Sequence, residues 1–403
     1  MKIAYLSVSP LISSGYGRCC KEVVYGLLKE HAVDVFAYYG LQQTTIDITL
    51  DGDEGDGDVR IIGGNGTIYH PVLPQVQDKY DVIIAHFDLW MATFNPAWLD
   101  QITTPVVWWA IVDHEPLPHP VRRLLRHPCL YKAVPMTIWA MRCLEEYCKR
   151  DLTTEIITAP IPHGVDIKTF YPDDNDSFPA DAEFKVISVV ANHGPRENIP
   201  TMIEGFARFL KNTDADAVYY IHTDPVRAGG YNLFEVVKSI EELYGIDLTN
   251  RILFKSGDMV PDEMLREYYS AADCQLMTVM GGSFEMPVVE AGACETPSIV
   301  GNFSAPAELV GVHTCCRCRK VVEGERGLAV TPSAYQWMNL SSARQAQYHP
   351  MDIAKALEMY YYNPRLAKKH GIAMRQHVQE NLTWDRVRMD WLDLMRKVEE
   401  ELL

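Results

Sequence analysis

Gly281-Gly282-Ser283-Phe284, followed by Glu285-Met286-Pro287, is the stretch of this chain whose residue types point most directly to chemistry. A glycine loop there follows the short apolar run Cys274–Thr278 and leads into a helix predicted to start near Pro287. The start of a helix offers unpaired N–H groups and the positive end of its dipole, which suits a phosphate. Glu290 sits one turn further in, where a carboxylate could accept hydrogen bonds from sugar hydroxyls. Gly15 and Gly17 allow close backbone approach to a ligand at the start of a first helix, and Arg18 follows them. His114 comes just after the apolar run Val106–Val112, so it is expected at the carboxyl end of a strand, flanked by Asp113 and Glu115, which could orient its ring. An imidazole there can hydrogen-bond a reacting group or shuttle a proton. His86 ends another apolar run in the same way.

The elements that must position these residues read as strand, loop and helix, repeated. Ile3–Val8, Ala32–Tyr38, Asp81–Ala85, Pro105–Val112 and Ile156–Ile161 are short apolar runs rich in Ile and Val. Runs of that kind, separated by helical periodicity, predict strands buried on both faces of a parallel sheet. The pattern restarts at Phe184–Ala191, with a helix over Asn198–Leu210, and continues to Ser298–Gly301. The expected fold class is therefore α/β, with two Rossmann-like doubly wound domains whose ligands sit beyond the strands' carboxyl ends. Tyr171–Asp181, with two prolines and a run of Asp, reads as a linker. The expected division is 1–172 for the first domain, 182–375 for the second and 376–403 for a terminal helix. In that helix Trp384, Val387, Trp391, Leu394, Met395, Val398 and Leu402 recur at helical spacing, and the first domain is the candidate surface for this face.

Composition narrows the function classes. The 403 residues carry 37 Lys and Arg against 54 Asp and Glu, a net charge of −17, with 47% apolar residues. That apolar share excludes a disordered chain, and the acidity argues against a broad nucleic-acid surface, because phosphate backbones are bound by clustered cations. No stretch of about 18 apolar residues predicts a membrane helix, and the N-terminus reads as a strand rather than a signal peptide. The ten Cys are scattered or adjacent, which reads as reduced thiols in a cytoplasmic protein. Two apparent metal motifs fail on spacing. Asp51–Asp58 places Gly55 where an EF-hand needs a ligand and Ile62 where it needs Glu. His313, Cys315, Cys316 and Cys318 have no second Cys-x-x-Cys pair to complete a zinc set. No metal and no cofactor is expected.

The segment Gly281–Pro297 resembles the signature of retaining glycosyltransferases of family 4, which have the GT-B architecture. It keeps that signature's Phe284, Pro287, Glu290, Ala291, Ala293, Cys294 and Pro297. Other pieces agree in order: Ser14–Gly17 with the family's N-terminal glycine loop, Asp81–His86 with its Asp-Ile-Ile-x-Ala-His strand, and Asp113–Glu115 with its His-Asp region. His163–Asp166 with Phe170 and Pro172, Pro195–Pro200, and Tyr268–Asp273 extend the likeness over nearly the whole chain.

The resemblance implies a metal-independent transferase that moves a sugar, with retention, from a nucleotide-diphosphate sugar to an acceptor hydroxyl. It implies a donor held between the two domains, with the acceptor mainly on the first. Glu290 falls where the family binds the nucleotide ribose. Gly15, Gly17, Arg196, Gly282, Ser283 and Phe284 are the other expected donor-binding positions, His114 and Glu285 the expected catalytic pair, and His86 and Asp113 the acceptor side. Three positions depart from the family. Gly282 stands eight residues before Glu290, where the first Glu of the motif belongs, and Asn192 and Glu197 stand where an Arg and a Lys neutralise the diphosphate. Arg196, Arg227 or Lys255 could substitute as the cation. These departures keep a second reading in play, a catalytically degenerate GT-B protein that binds nucleotide or sugar without transfer. A GT-B epimerase or phosphorylase is a further enzymatic alternative, the latter with no visible cofactor-lysine motif.

Overall fold

The computed structural model describes residues 1–50, 57–88, 91, 96–113, 115–148, 154–175, 177–255, 260–312, 319–338 and 343–402. The chain divides into two compact units. The first comprises Met1–Gly164, Asn339–Ala343 and Trp384–Leu403, the second Val165–Met338 and Arg344–Thr383.

The first unit runs β1 (Lys2–Val8), α1 (Gly15–Leu27), β2 (Ala32–Gln42), β3 (Thr45–Leu50), β4 (Gly57–Gly64), α2 (Leu73–Val76), β5 (Val82–Asp88), α3 (Pro96–Leu99), β6 (Val106–Ile111), α4 (His119–Leu125), β7 (Leu130–Pro135) and α5 (Ile138–Cys148). Its sheet has the order β3-β4-β2-β1-β5-β6-β7. All neighbours are parallel except the β3–β4 hairpin. The central strands are apolar on both faces because helices cover both; every residue of β6, Trp108 and Trp109 included, is buried. Helix α1 begins where Ser14 caps it, the Gly17 N–H donating to Ser14 Oγ at 3.1 Å. Gly17 has no room for a side chain, since a Cβ there would lie 2.0 Å from the Ile12 carbonyl oxygen. Its glycine is thus required by the fold of the loop itself. Ser14→Ala is expected to cost about 1 kcal/mol and to lower the melting temperature by about 2–4 °C. An unchanged melt would mean that the cap contributes nothing.

The C-terminal helix, Trp384–Leu402, belongs to this unit. It buries Val387, Trp391, Met395 and Val398. Trp391 meets Trp109 edge to face, ring centroids 5.3 Å apart. Arg388 donates to Glu22 of α1 at 2.5 Å, and Arg396 pairs with Glu30. Gly26 of α1 leaves the space that the Arg388 stem fills.

The second unit runs β8 (Phe184–Val189), α6 (Ile199–Thr213), β9 (Ala217–His222), α7 (Leu233–Tyr244), β10 (Ile252–Lys255), α8 (Asp262–Ala271), β11 (Cys274–Met277), α9 (Met286–Ala293), β12 (Ser298–Gly301), α10 (Ala305–Leu309), β13 (Val321–Glu323), β14 (Gly327–Val330), β15 (Ala334–Trp337), β16 (Arg344–Gln347), α11 (Pro350–Tyr361) and α12 (Pro364–Asn381). The main sheet has the order β10-β9-β8-β11-β12-β14-β13, and β15 and β16 form a separate hairpin. Chain order reverses between β8 and β11. In doubly wound sheets ligands bind at such a switch, outside the carboxyl ends of the strands.

Three expectations change. Ile156–Ile161 is not a strand: Thr154–Ile156 is a 3-10 turn, and only Ile157 bridges to Ala133. The strand in that place is β7, whose Lys132 and closing Pro135 disguise it. Tyr171–Asp181 is not a free linker, because Arg266 pairs with Asp173 at 2.9 Å and stacks on Tyr171, tying its start to α8. The compact units divide at Gly164–Val165, and α12 lies wholly in the second unit, across the expected division at 375. Among the described residues no helix is long and apolar enough to cross a membrane. Cys19, Cys20, Cys129, Cys143, Cys148, Cys274 and Cys294 are free and buried.

Candidate functional site

The loops after β8 and β11 meet at the switch of the second sheet. They are laced together by backbone and side-chain bonds. The Met280 N–H donates to the Arg196 carbonyl at 2.8 Å, and Asn198 Nδ2 donates to the Thr278 carbonyl at 2.7 Å. Asn198 holds a left-handed backbone, φ 58°, which turns the chain from the loop into α6.

Arg196 sits on a 3-10 turn, Pro195–Glu197. Its guanidinium donates to the Gly281 carbonyl at 2.8 Å and to the Glu197 carboxylate at 2.9 Å, and it lies 3.7 Å from the Glu285 carboxylate. One cation therefore joins both loops. Glu197, where the resembled family has Lys, is buried against it. Asn192, where that family has Arg, has a different task. Its Nδ2 donates to the carbonyls of Asp224 and Tyr231 at 3.0 and 2.7 Å, and its Oδ1 accepts from the Tyr231 N–H at 2.9 Å. Asn192 thereby fixes the 224–231 loop, which carries exposed Arg227. Burial lowers the pKa of His193, the residue after Asn192, and the nearby Arg227 lowers it further, against an opposing pull from Glu197.

Glu285 and Gly282 are coupled by shape. Glu285 takes a left-handed conformation, φ 74°, just before α9, and folds its side chain back over the glycine loop. A Cβ added to Gly282 would lie 2.1 Å from Glu285 Oε1. The carboxylate of Glu285 thus fills the space beside position 282, where the resembled motif carries its first Glu. The Gly282 N–H donates to Ser304 Oγ at 3.0 Å. Phe284 is buried, and Ser283 is half-buried beside it. Glu290 is buried on α9, and the Tyr269 hydroxyl of α8 donates to it at 3.4 Å. Sequence reasoning singled out none of Tyr269, His193 and Ser304; Tyr269 lies within the Tyr268–Asp273 segment of the likeness, while His193 and Ser304 lie outside the motifs that carry it.

In the first unit, Gly15 and Gly17 lie at the start of α1. Asp113 is half-buried two residues past β6. His114 lies outside the described residues, as does the 313–318 segment with His313 and its cysteines. His86 is an interior group, 1% exposed, with Nδ1 3.2 Å from Ser7 Oγ.

A doubly wound domain with a glycine loop at its switch, joined in one chain to a second Rossmann-like unit, defines the GT-B class of fold. Residues 184–332 match the family model of Glycosyl transferases group 1. A probable sucrose-phosphate synthase of Thermosipho melanesiensis is 25% identical over 157 residues, which make up 37% of this chain and 33% of that one; the match thus spans a third of that relative's length. Among solved structures, sucrose-phosphate synthase from Thermosynechococcus elongatus aligns over 100% of both chains at 18% identity with a TM-score of 0.71. Anabaena Alr3699/HepE in complex with UDP and glucose aligns over 98% of this chain and 100% of its own at 13% identity and 0.68. The trehalose 6-phosphate synthase of Burkholderia multivorans aligns over 100% and 99% at 13% identity and 0.66.

Proposed function

We propose that the chain is a retaining glycosyltransferase whose donor, a nucleoside diphosphate sugar, is held at the switch of the second sheet. The observation that carries this is the Arg196 guanidinium bonded to the glycine loop, beside the Glu285 carboxylate and at the head of the helix that bears Glu290. In the transfer, the bond from the sugar's anomeric carbon to the diphosphate oxygen breaks. A bond to the acceptor oxygen forms on the same face, and the acceptor's hydroxyl proton passes to the leaving diphosphate. The charge that develops there is met by Arg196 and by the backbone N–H groups opening α9, fixed dipoles that need no reorganisation as the bond breaks. Glu290 takes the ribose hydroxyls and Glu285 those of the sugar, with His114 as the assisting imidazole. No step requires an added metal, so transfer should be indifferent to magnesium or manganese. Uridine diphosphate sugars are the first donors to test, because the Anabaena relative was solved with UDP and glucose.

Asn192 and Glu197 favour a second reading, a GT-B protein that binds the donor without turning it over. A panel of nucleotide sugars with and without hydroxyl acceptors separates the two. The expected result is slow nucleotide release from one donor, accelerated by an acceptor, with anomeric configuration retained by NMR. Glu290→Ala should raise the donor KM about tenfold, the equivalent of about 1.4 kcal/mol of binding, with little change in kcat. Saturable binding without turnover would favour the second reading, and no binding of any donor would remove both.

A further inference from the structure

We infer that Cys19, His86 and His163 form a binding site for one zinc-class divalent ion inside the first unit, independent of the transferase reading. One ligand atom from each of the three lies within 4.8 Å of the others. They come from three elements far apart in sequence: α1, β5 and the segment leading to Gly164. Cys19 and His86 are buried, and both ring nitrogens of His163 are shielded from solvent.

The second observation is the polarity of His86. Its Nδ1 faces Ser7 Oγ at 3.2 Å. Its Nε2 is buried with no hydrogen-bond partner among the described residues. A buried polar atom left unpaired is costly, which points to a partner that fills the space beside it. A proton held on Nδ1 by Ser7 presents Nε2 as a bare lone pair, which is how a metal-ligating histidine is oriented by its outer neighbour. Aromatic rings wall the space: Trp109 stands 4.5 Å from His86 and 5.0 Å from His163, and Tyr16 stands 4.9 Å from His86.

One thiolate and two imidazoles are a borderline-soft donor set suited to zinc. Bond lengths of about 2.0 Å to nitrogen and 2.3 Å to sulfur put tetrahedral ligand atoms roughly 3.3–3.6 Å apart. The trio thus closes on an ion by about an ångström of movement, leaving one coordination position for water. Binding converts the Cys19 thiol to thiolate and releases its proton to solvent.

The test uses the full chain, stripped with a chelator and titrated with Co²⁺ and then Zn²⁺. One Co²⁺ per chain should bind with a near-ultraviolet thiolate-to-cobalt band and the strong visible bands of a tetrahedral ion, and Zn²⁺ should displace it. Cys19→Ser should abolish the thiolate band. Ser7→Ala, which removes only the outer neighbour, should weaken affinity about 10–100-fold. Because variants can misfold, X-ray absorption of the unmodified zinc-loaded chain is the second measurement, with one sulfur and two imidazole nitrogens expected in its first shell. A shell without sulfur or with several sulfurs, no stoichiometric binding, or a thiolate band that survives Cys19→Ser but is lost in Cys315→Ser would each overturn the assignment.

Discussion

Arg196→Met is expected to lower kcat of the proposed transfer by about 10²–10³-fold, the loss typical of removing one fixed stabiliser of a developing oxyanion, with a far smaller change in the donor KM. The guanidinium holds two carboxylates, Glu197 and Glu285, and the Gly281 carbonyl at once. On the proposed reading, its removal would leave the Glu197 and Glu285 carboxylates facing the departing diphosphate, so attraction would become repulsion. Arg196→Lys keeps the charge but cannot span all three acceptors with one planar fork, and should recover only part of the rate. Steady-state kinetics with the active donor gives the split, and a melt of each variant shows whether the loops stay joined. Turnover within threefold of the parent in Arg196→Met would end the cationic role assigned here.

The second large effect separates stability from activity. Glu285→Gly relieves a left-handed residue of its side chain, which costs a non-glycine residue about 1–2 kcal/mol, so the protein should melt higher. The same change removes the carboxylate that covers position 282, and kcat/KM should fall about 100-fold, or about 2.7 kcal/mol. Opposite signs for the two readouts distinguish a working carboxylate from a structural one. The double variant Gly282→Glu with Glu285→Gly returns the acid to the position used by the resembled family. It should regain at least about tenfold over the single variant, a gain of about 1.4 kcal/mol. A Glu285→Gly protein as active as the parent would show that the folded-back side chain has no part in transfer.

The parts of this protein that were legible in the sequence are those whose physics is local. Ile3–Val8, Phe184–Val189 and Cys274–Met277 are short apolar runs that can only be buried strands, and α9 announces itself through its glycines and Pro287. Strand β7 was missed because Lys132 interrupts it, and its partner, Glu401 at 2.8 Å, lies on the C-terminal helix. The β3–β4 hairpin was missed because β3 alternates exposed and half-buried residues, with only Leu50 buried. At the site, the loss of cations at 192 and 197 was visible, but what replaced them was not. That Asn192 ties down a loop some thirty residues on, and that Gly282 is small because Glu285 lies across it, are facts of tertiary packing. The pairing of Cys19 with His86 and His163 is hidden for the same reason, since three separate elements deliver it.

The order in which the two units appear along the chain bears on how the protein is made. Residues 1–164 leave the ribosome with the sheet of the first unit complete, yet Trp109 must wait for Trp391 and Glu22 for Arg388. Every residue of the second unit is translated in between. The nascent first unit therefore keeps an uncovered hydrophobic seam at Trp109 until the helix Trp384–Leu402 has been made.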